Sequence, residues 1–240
     1  FANPGYLGSY QQFGDRFILP IEKKKDKEKQ HLLKQLISPF ILRRTKAEVL
    51  DELPEKTELI VPVELSEEEL AIYENIRTRT LSGLQSEKIN PIEALMALTK
   101  LRQAACSPEL VDKHLTIPSS KIRVFLELVS ELKENKHRAL VFSQFTSFLA
   151  LVRQALDKAG IEYLYLDGSV PAAQRKKLVE TFQNGDMPLF LISLKAGGTG
   201  LNLTAADYVI HLDPWWNPAV EDQASDRAYR IGQKRPVTIY

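Results

Sequence analysis

Residues 193–233 read SLKAGGTGLNLTAADYVIHLDPWWNPAVEDQASDRAYRIGQ. A glycine turn holding Gly197, Gly198 and Gly200 separates two apolar runs, and the tandem Trp215 and Trp216 lead into a segment carrying Gln223, Asp226, Arg227 and Arg230. Pro214 and Pro218 bracket a turn, Asn217 is a suitable N-cap, and Ala219 to Ile231 reads as a short helix ended by Gly232. On such a helix Gln223, Arg227 and Arg230 are spaced by four and three and share one face. Two guanidiniums on one face, each a planar fork of donors, match phosphate oxygens better than lysines would. The competing reading makes them solvated arginines paired with Asp222 and Asp226, since exposed ion pairs are common and weak.

Outward from this stretch, the chain from Ser119 alternates helix and strand. Lys121 to Lys133 is amphipathic, RALVFS (138–143) is a short buried strand, and Phe145 to Lys158 is a helix stopped by Gly160. IEYLYL, a helix from Pro171 to Phe182, PLFLISL, YVIHLD, the arginine segment and VTIY follow. Strands separated by helices imply parallel pairing with right-handed crossovers, and ligands of such sheets collect at the carboxyl ends of the strands. Ser143 and Gln144, then Asp167, Gly168 and Ser169, then Lys195 to Gly200, then Asp213 to Trp216 all fall at such ends. One edge therefore carries every candidate. The glycines lack Cβ atoms and would let backbone N–H groups approach a phosphate, although a tight turn explains them equally. A dinucleotide fingerprint does not fit, because the G-x-G-x-x-G spacing and its following acidic residue are both missing.

AGGTGLNL followed by DPWWNPAVEDQASDRAYRIGQ resembles the fifth and sixth motifs of the Snf2-type superfamily 2 motor ATPases, particularly their bacterial branch. It departs at Tyr229, where the family usually has histidine. The resemblance implies a RecA-like parallel sheet with helices on both faces, preceded by a mainly helical extension. It divides the chain into the end of a first motor lobe with the interlobe linker (1–60), a helical insertion (61–118) and a second RecA-like lobe (119–240). It implies that Arg227 and Arg230 act on the γ-phosphate of ATP, and that Gln223, Asp226, Gly198 and Gly200 belong to the ATP side. Ser143, Gln144, Gly168, Ser169, Lys195 and Trp216 fall on the DNA side. ATP and Mg2+ would be bound mainly by the first lobe. Double-stranded DNA backbone, that lobe and a DNA-bound protein cargo are the implied partners. SPFILRRTKAEVLDELPEK resembles the segment between the lobes and makes Arg43, Arg44 and Lys46 interlobe residues, with Leu42, Val49 and Leu50 as a helical stripe.

The rest of the chain is consistent with that division. Phe1 to Pro20 mixes glycine, proline and aromatics without a period and looks like a segment packed on something absent. Glu22 to Lys34 is lysine-rich and reads as a solvated linker or helix face. KTELIVPVEL (56–65) reads as a strand, and Ser66 with Glu69 forms a capping box for the helix that follows. A second helix is expected from Pro91 through Ala105, ending in LRQAACSP, which resembles a family Leu-Arg-Gln segment.

With 240 residues, 44% hydrophobic and 26% charged, the chain can bury one substantial core and a satellite. The lone Cys106 excludes an internal disulfide and has no metal-ligand spacing around it, and no apolar run approaches the roughly 20 residues of a membrane span. A cytoplasmic setting is expected, nucleoid-associated if the protein is bacterial, as is a longer parent protein. The net charge of +1 leaves any nucleic-acid contact to local patches. No G-x-x-x-x-G-K-[ST] loop occurs, so the α- and β-phosphates of ATP have no cradle here. Two rival classes stay open: a non-catalytic nucleic-acid or protein binding module on the same fold, and a small-molecule α/β enzyme. The latter finds no triad context around His31, His114, His137 or His211.

Overall fold

The computed structural model describes residues 3–41, 53–84, 91–197 and 200–240. The chain divides into two compact units, Phe1–Glu52 and Leu53–Tyr240. In the first, short helices at Tyr10–Phe13, Leu19–Lys24 and Lys27–Ile37 follow one another, with a π-helical turn at Gly14–Ile18. Ser9 and Gln12 make a capping box, and the Asp26 carboxylate accepts from the Glu28 and Lys29 backbone N–H groups. The lysine-rich stretch is thus the end of one helix and a second helix capped by Asp26, with most of its lysines exposed, while Phe17 is buried. The interlobe candidates Arg43, Arg44 and Lys46, with Leu42, Val49 and Leu50, lie outside the described residues.

The second unit is built on one sheet. Its strands are β1 (Lys56–Glu58), β2 (Ala139–Ser143), β3 (Tyr163–Leu166), β4 (Leu189–Ser193), β5 (Tyr208–His211) and β6 (Val237–Ile239), in the order β1-β6-β5-β2-β4-β3. Every pairing is parallel. The central β2 and β4 are buried at every position, which is why ALVFS and LFLIS read as continuous apolar runs rather than alternating ones. Alternate residues still part company. Ala139, Val141, Leu189 and Leu191 pack with Phe125, Val129, Phe148 and Val152 from the helices Ser120–Glu134 and Thr146–Lys158. Leu140, Phe142, Phe190 and Ile192 pack with Phe182 of the helix Ala172–Asn184 and with Leu203, Ala224 and Ala228. Helices therefore cover both faces of a RecA-like sheet.

The expected strand over 56–65 is only three residues long. β1 pairs with β6 alone, Leu59 N–H still donates to the Ile239 carbonyl (2.8 Å), and the ladder stops before Pro62, which has no N–H to give. Ile60, beyond the ladder, is almost fully exposed.

Glu69 joins the helical extension to this unit. In the expected capping box its carboxylate accepts from the Ser66 N–H (2.9 Å) and its own N–H donates to the Ser66 hydroxyl (3.3 Å). The same carboxylate also accepts from the Ser120 backbone N–H (2.9 Å) and hydroxyl, so one buried side chain caps two helix N-termini far apart in sequence. Burial opposes its ionisation, but the hydrogen bonds from Ser120 and Ser66 outweigh this and hold its pKa below the usual value. A carboxylate with a depressed pKa stabilises the fold above its unfolded pKa, and that contribution fades as pH falls through the folded value. Glu69→Ala should cost about 2–3 kcal/mol in urea titration at pH 7, with the difference from the parent shrinking below about pH 4.

Candidate functional site

Parallel pairing brings the carboxyl ends of the strands to one edge in the order β6, β5, β2, β4, β3. The segment after β5 (Asp213 to Trp216) thus lies beside Gln144 after β2, then Lys195 after β4, then Asp167–Ser169 after β3. Lys195 is exposed on the four-residue helix Leu194–Gly197. Gly168 and Ser169 are exposed as well. Their loop is shaped by Asp167, whose Oδ1 accepts from the Ser169 N–H (2.9 Å) and hydroxyl (2.6 Å) and whose Oδ2 accepts from the Tyr165 hydroxyl (2.8 Å). Bonds from Ser169 and then Tyr165 hold the Asp167 carboxyl below its ordinary pKa. Burial and the Asp167 hydrogen bond push the Tyr165 phenol up to about 12.

Ser143 stands differently from its expected place against DNA. It is buried, and its hydroxyl accepts from the Phe145 N–H (3.0 Å) and donates to the Phe145 carbonyl (3.3 Å). These bonds start the next helix, and the same hydroxyl also favours the charged form of the Asp213 carboxylate. Half-buried Gln144 remains at the surface, its N–H donating to Asp213 Oδ2 (3.2 Å). The glycines also divide. A Cβ on Gly197 would lie 2.9 Å from the Phe142 ring, so this glycine permits core packing rather than backbone approach to a phosphate. Gly200 is exposed with φ of +46°, a turn that disfavours any side chain. Gly198 lies outside the described residues.

The arginine segment is not one helix. Asn217 caps the helix at its N-terminus, its side chain accepting from the Ala219 N–H (3.2 Å), but the helix runs only over Pro218–Ser225 and turns follow. Gln223, Arg227 and Arg230 consequently do not share a helix face: Gln223 and Arg230 are exposed, Asp226 is half-buried, and Arg227 is only 8% exposed. Burial, and then the like charge of Arg230, hold the Arg227 guanidinium below the usual arginine range, which places the two cations near each other even without a helix.

The helix stops where Gln233 takes over. This buried amide donates to the carbonyls of Thr204 (3.1 Å), Ala206 (2.7 Å) and Ala228 (3.1 Å), and its oxygen accepts from the N–H groups of Lys234 (2.9 Å) and Arg235 (3.0 Å). It ties the arginine turn to the loop after β4 and to the start of β6. Nothing in local spacing distinguishes such a glutamine from a surface one.

Arg102, the arginine of the Leu-Arg-Gln segment at the end of the helix Pro91–Ala104, has no role assigned by local spacing. It donates from Nη2 to the Pro214 carbonyl (2.6 Å), lies 3.6 Å from Asp213 Oδ2, and stacks against Trp215 (4.9 Å) and Trp216 (5.0 Å). The tryptophans do not face opposite ways as an extended pair would. Their rings are 5.1 Å apart around one guanidinium, with Trp215 half-buried and Trp216 52% exposed. Asp213 is buried, its Oδ1 has no hydrogen-bond partner among the described residues, and burial raises its pKa to about 6 despite Ser143, Gln144 and Arg102. Burial likewise pushes the Cys106 thiol up to about 12, so it packs as an apolar group in the core. His211, pushed down to about 4 by burial, is neutral at physiological pH, within hydrogen-bond distance of the Ser225 hydroxyl (2.9 Å).

The family model described as "Helicase conserved C-terminal domain" matches residues 120–232, and the model described as "SNF2-related domain" matches residues 1–110. A putative ATP-dependent helicase/translocase of Bacillus subtilis is 42% identical over 254 residues, covering 100% of this chain and 27% of that protein. A Sulfolobus solfataricus SWI2/SNF2 ATPase core in complex with dsDNA superimposes with a TM-score of 0.68 at 34% identity, over 99% of this chain and 51% of that one. The C-terminal domain of the Sulfolobus ATPase alone gives a TM-score of 0.62 at 27% identity, over 77% and 79% of the two chains. The chain thus spans about a quarter of the length of the Bacillus relative.

Gln233→Ala would take a donor from the Thr204 and Ala206 carbonyls and the acceptor from the Lys234 and Arg235 N–H groups, while the Ala228 carbonyl keeps the Arg230 N–H (3.1 Å). A loss of about 1–3 kcal/mol in equilibrium unfolding is expected. Hydrogen exchange should show loosening concentrated at residues 203–206 and 226–235.

Proposed function

Because the chain belongs to the Snf2 family of superfamily 2 ATPases, we propose that it supplies the second motor lobe, with adjoining segments, of an ATP-driven translocase on double-stranded DNA. In this reading residues 1–60 end the first lobe and form the interlobe linker, 61–118 are a helical insertion, and 119–240 are the second lobe. The observation that carries it is the gathering of Lys195, the Gly168–Ser169 loop, Gln144 and exposed Trp216 along one sheet edge. The helix that leads into the Arg227–Arg230 turn packs beside the Lys195 helix.

Lys195, Gly168, Ser169 and Gln144 take the DNA backbone, with Ser143 buried behind them against Phe145 and Trp216 pressing against the duplex. Contacts of this kind read phosphate rather than base, so binding is tolerant of sequence. Exposed Arg230 reaches the γ-phosphate of an ATP bound by the other lobe, and Arg227, held partly out of water, adds positive potential behind it. Gln223, Asp226, Gly198 and Gly200 border the same nucleotide. ATP and its Mg2+ are bound mainly by the other lobe in this reading. The sequence has no phosphate-cradling loop, and the isolated chain should not hydrolyse ATP. Closure of the two lobes around nucleotide would let them grip the backbone in turn and advance along it, displacing a DNA-bound protein. Among the described residues no helix is long and apolar enough to cross a membrane.

In the full-length protein, Arg230→Ala should lower DNA-stimulated ATP turnover by roughly 10³-fold or more with little change in nucleotide-free DNA affinity. Arg227→Ala should lose turnover and also thermal stability, because that side chain is buried. Turnover within a few-fold of the parent for Arg230→Ala removes the finger role. No DNA-stimulated hydrolysis by the parent itself would favour a non-catalytic binding module.

Lys195→Ala should weaken binding equally on unrelated duplexes and reduce the slope of log affinity against log salt by about one. An unchanged slope would take Lys195 off the DNA surface.

A further inference from the structure

One side chain of the helical extension reaches into the working edge. Arg102 is separated by more than a hundred residues from the segment it touches, yet it meets that segment in three ways at once. It donates to the Pro214 carbonyl (2.6 Å), its charge lies 3.6 Å from the Asp213 carboxylate, and its plane lies against the rings of Trp215 and Trp216, with Phe145 at 5.5 Å. Only a planar cation can do all three, because donors point outward in the guanidinium plane while its faces stay free to stack. A lysine could keep the charge near Asp213 but not both stacked rings. The side chain is four-fifths buried, so these contacts are weakly screened by water.

We propose that Arg102 is a positioning residue: it fixes the Asp213–Trp216 segment at the carboxyl edge and couples the helix Pro91–Ala104 to the placement of Trp216. Any tilt of that helix would pull on the Pro214 carbonyl and on both indoles together. The consequence for the motor rests on the reading given under Proposed function, whereas the coupling itself is a property of this chain alone.

The Asp213 carboxylate supplies an independent reporter of the same contact. Facing it are Arg102 from the helix Pro91–Ala104, Lys121 from the helix Ser120–Glu134, the Ser143 hydroxyl and Gln144 N–H after β2, and the Cys106 thiol, which burial keeps neutral. Burial puts the Asp213 pKa at about 6, against the pull of the two cations. Removing Arg102 removes one of the groups that favour the carboxylate, so the titration must move up.

Trp215 and Trp216 are the only tryptophans in the chain, so intrinsic emission reads this contact directly. The parent emission should show a pH step with a midpoint near 6. In Arg102→Gln the midpoint should rise by about one unit, a tenfold tighter proton, and the indoles should become more accessible to acrylamide. Arg102→Lys should leave the midpoint within about half a unit but show the same gain in accessibility, because charge is kept and stacking lost. Asp213→Asn should abolish the step. Far-UV circular dichroism confirms that each variant is folded, and the lysine variant, which keeps the buried charge, carries the test if the glutamine variant does not fold. Emission and quenching unchanged in Arg102→Lys, or no parent step between pH 5 and 7.5, would overturn the proposal. The assay contains neither nucleotide nor DNA, so failure of the motor reading leaves its outcome untouched.

Discussion

All-parallel pairing is the constraint on which the rest of this structure depends. A strand that runs parallel to its neighbours must be re-entered through a crossover, so each βα connection leaves from the same edge. Four such connections carry Gln144, the Asp167–Ser169 loop, Lys195 and the Asp213–Trp216 segment to one line. β2 and β4 at the centre can be buried on both faces because helices cover each side, and this double burial keeps the edge rigid. A loop is precise only when the strand beneath it is.

Polar side chains in this unit do structural work in places where an apolar residue could not. Gln233 satisfies five backbone groups where the chain turns from the arginines into β6. Glu69 satisfies the first turns of two helices, and buried Asp207 accepts from the Arg138 N–H while ion-paired with Arg235 and at 2.7 Å from His137. In each case one side chain serves segments distant in sequence, so its loss would leave several buried groups without partners. Asp213 is the exception: it is buried, its Oδ1 has no hydrogen-bond partner among the described residues, and burial raises its pKa to about 6.

The end of the arginine helix follows from the same economy. A continued helix would have carried Ala228 away from the Gln233 amide and Arg227 away from the loop, where its carbonyl now accepts from the Leu203 N–H (2.9 Å). Tertiary hydrogen bonds replaced intrahelical ones, and the two guanidiniums ended in different environments, one buried and one exposed. Local propensity could not have shown this, because Ser225 to Ile231 contains no proline or glycine to stop a helix.

The sequence by itself determined the architecture and its edge. Apolar runs between amphipathic helices indicated a parallel sheet, the family resemblance implied helices on both of its faces, and the alternation placed Gln144, Lys195 and Trp216 at strand ends. The Ser66–Glu69 box and the Asn217 cap were legible for the same reason: both are contacts within one helical turn. Only the tertiary structure decided which of those residues face solvent and which are consumed. Ser143 is bonded to Phe145, Gly197 makes room for Phe142, and Arg102 and Gln233 prove central through partners 112 and up to 29 residues away. Such pairings are set by how layers pack, and packing is a property of the assembled core that no local period encodes.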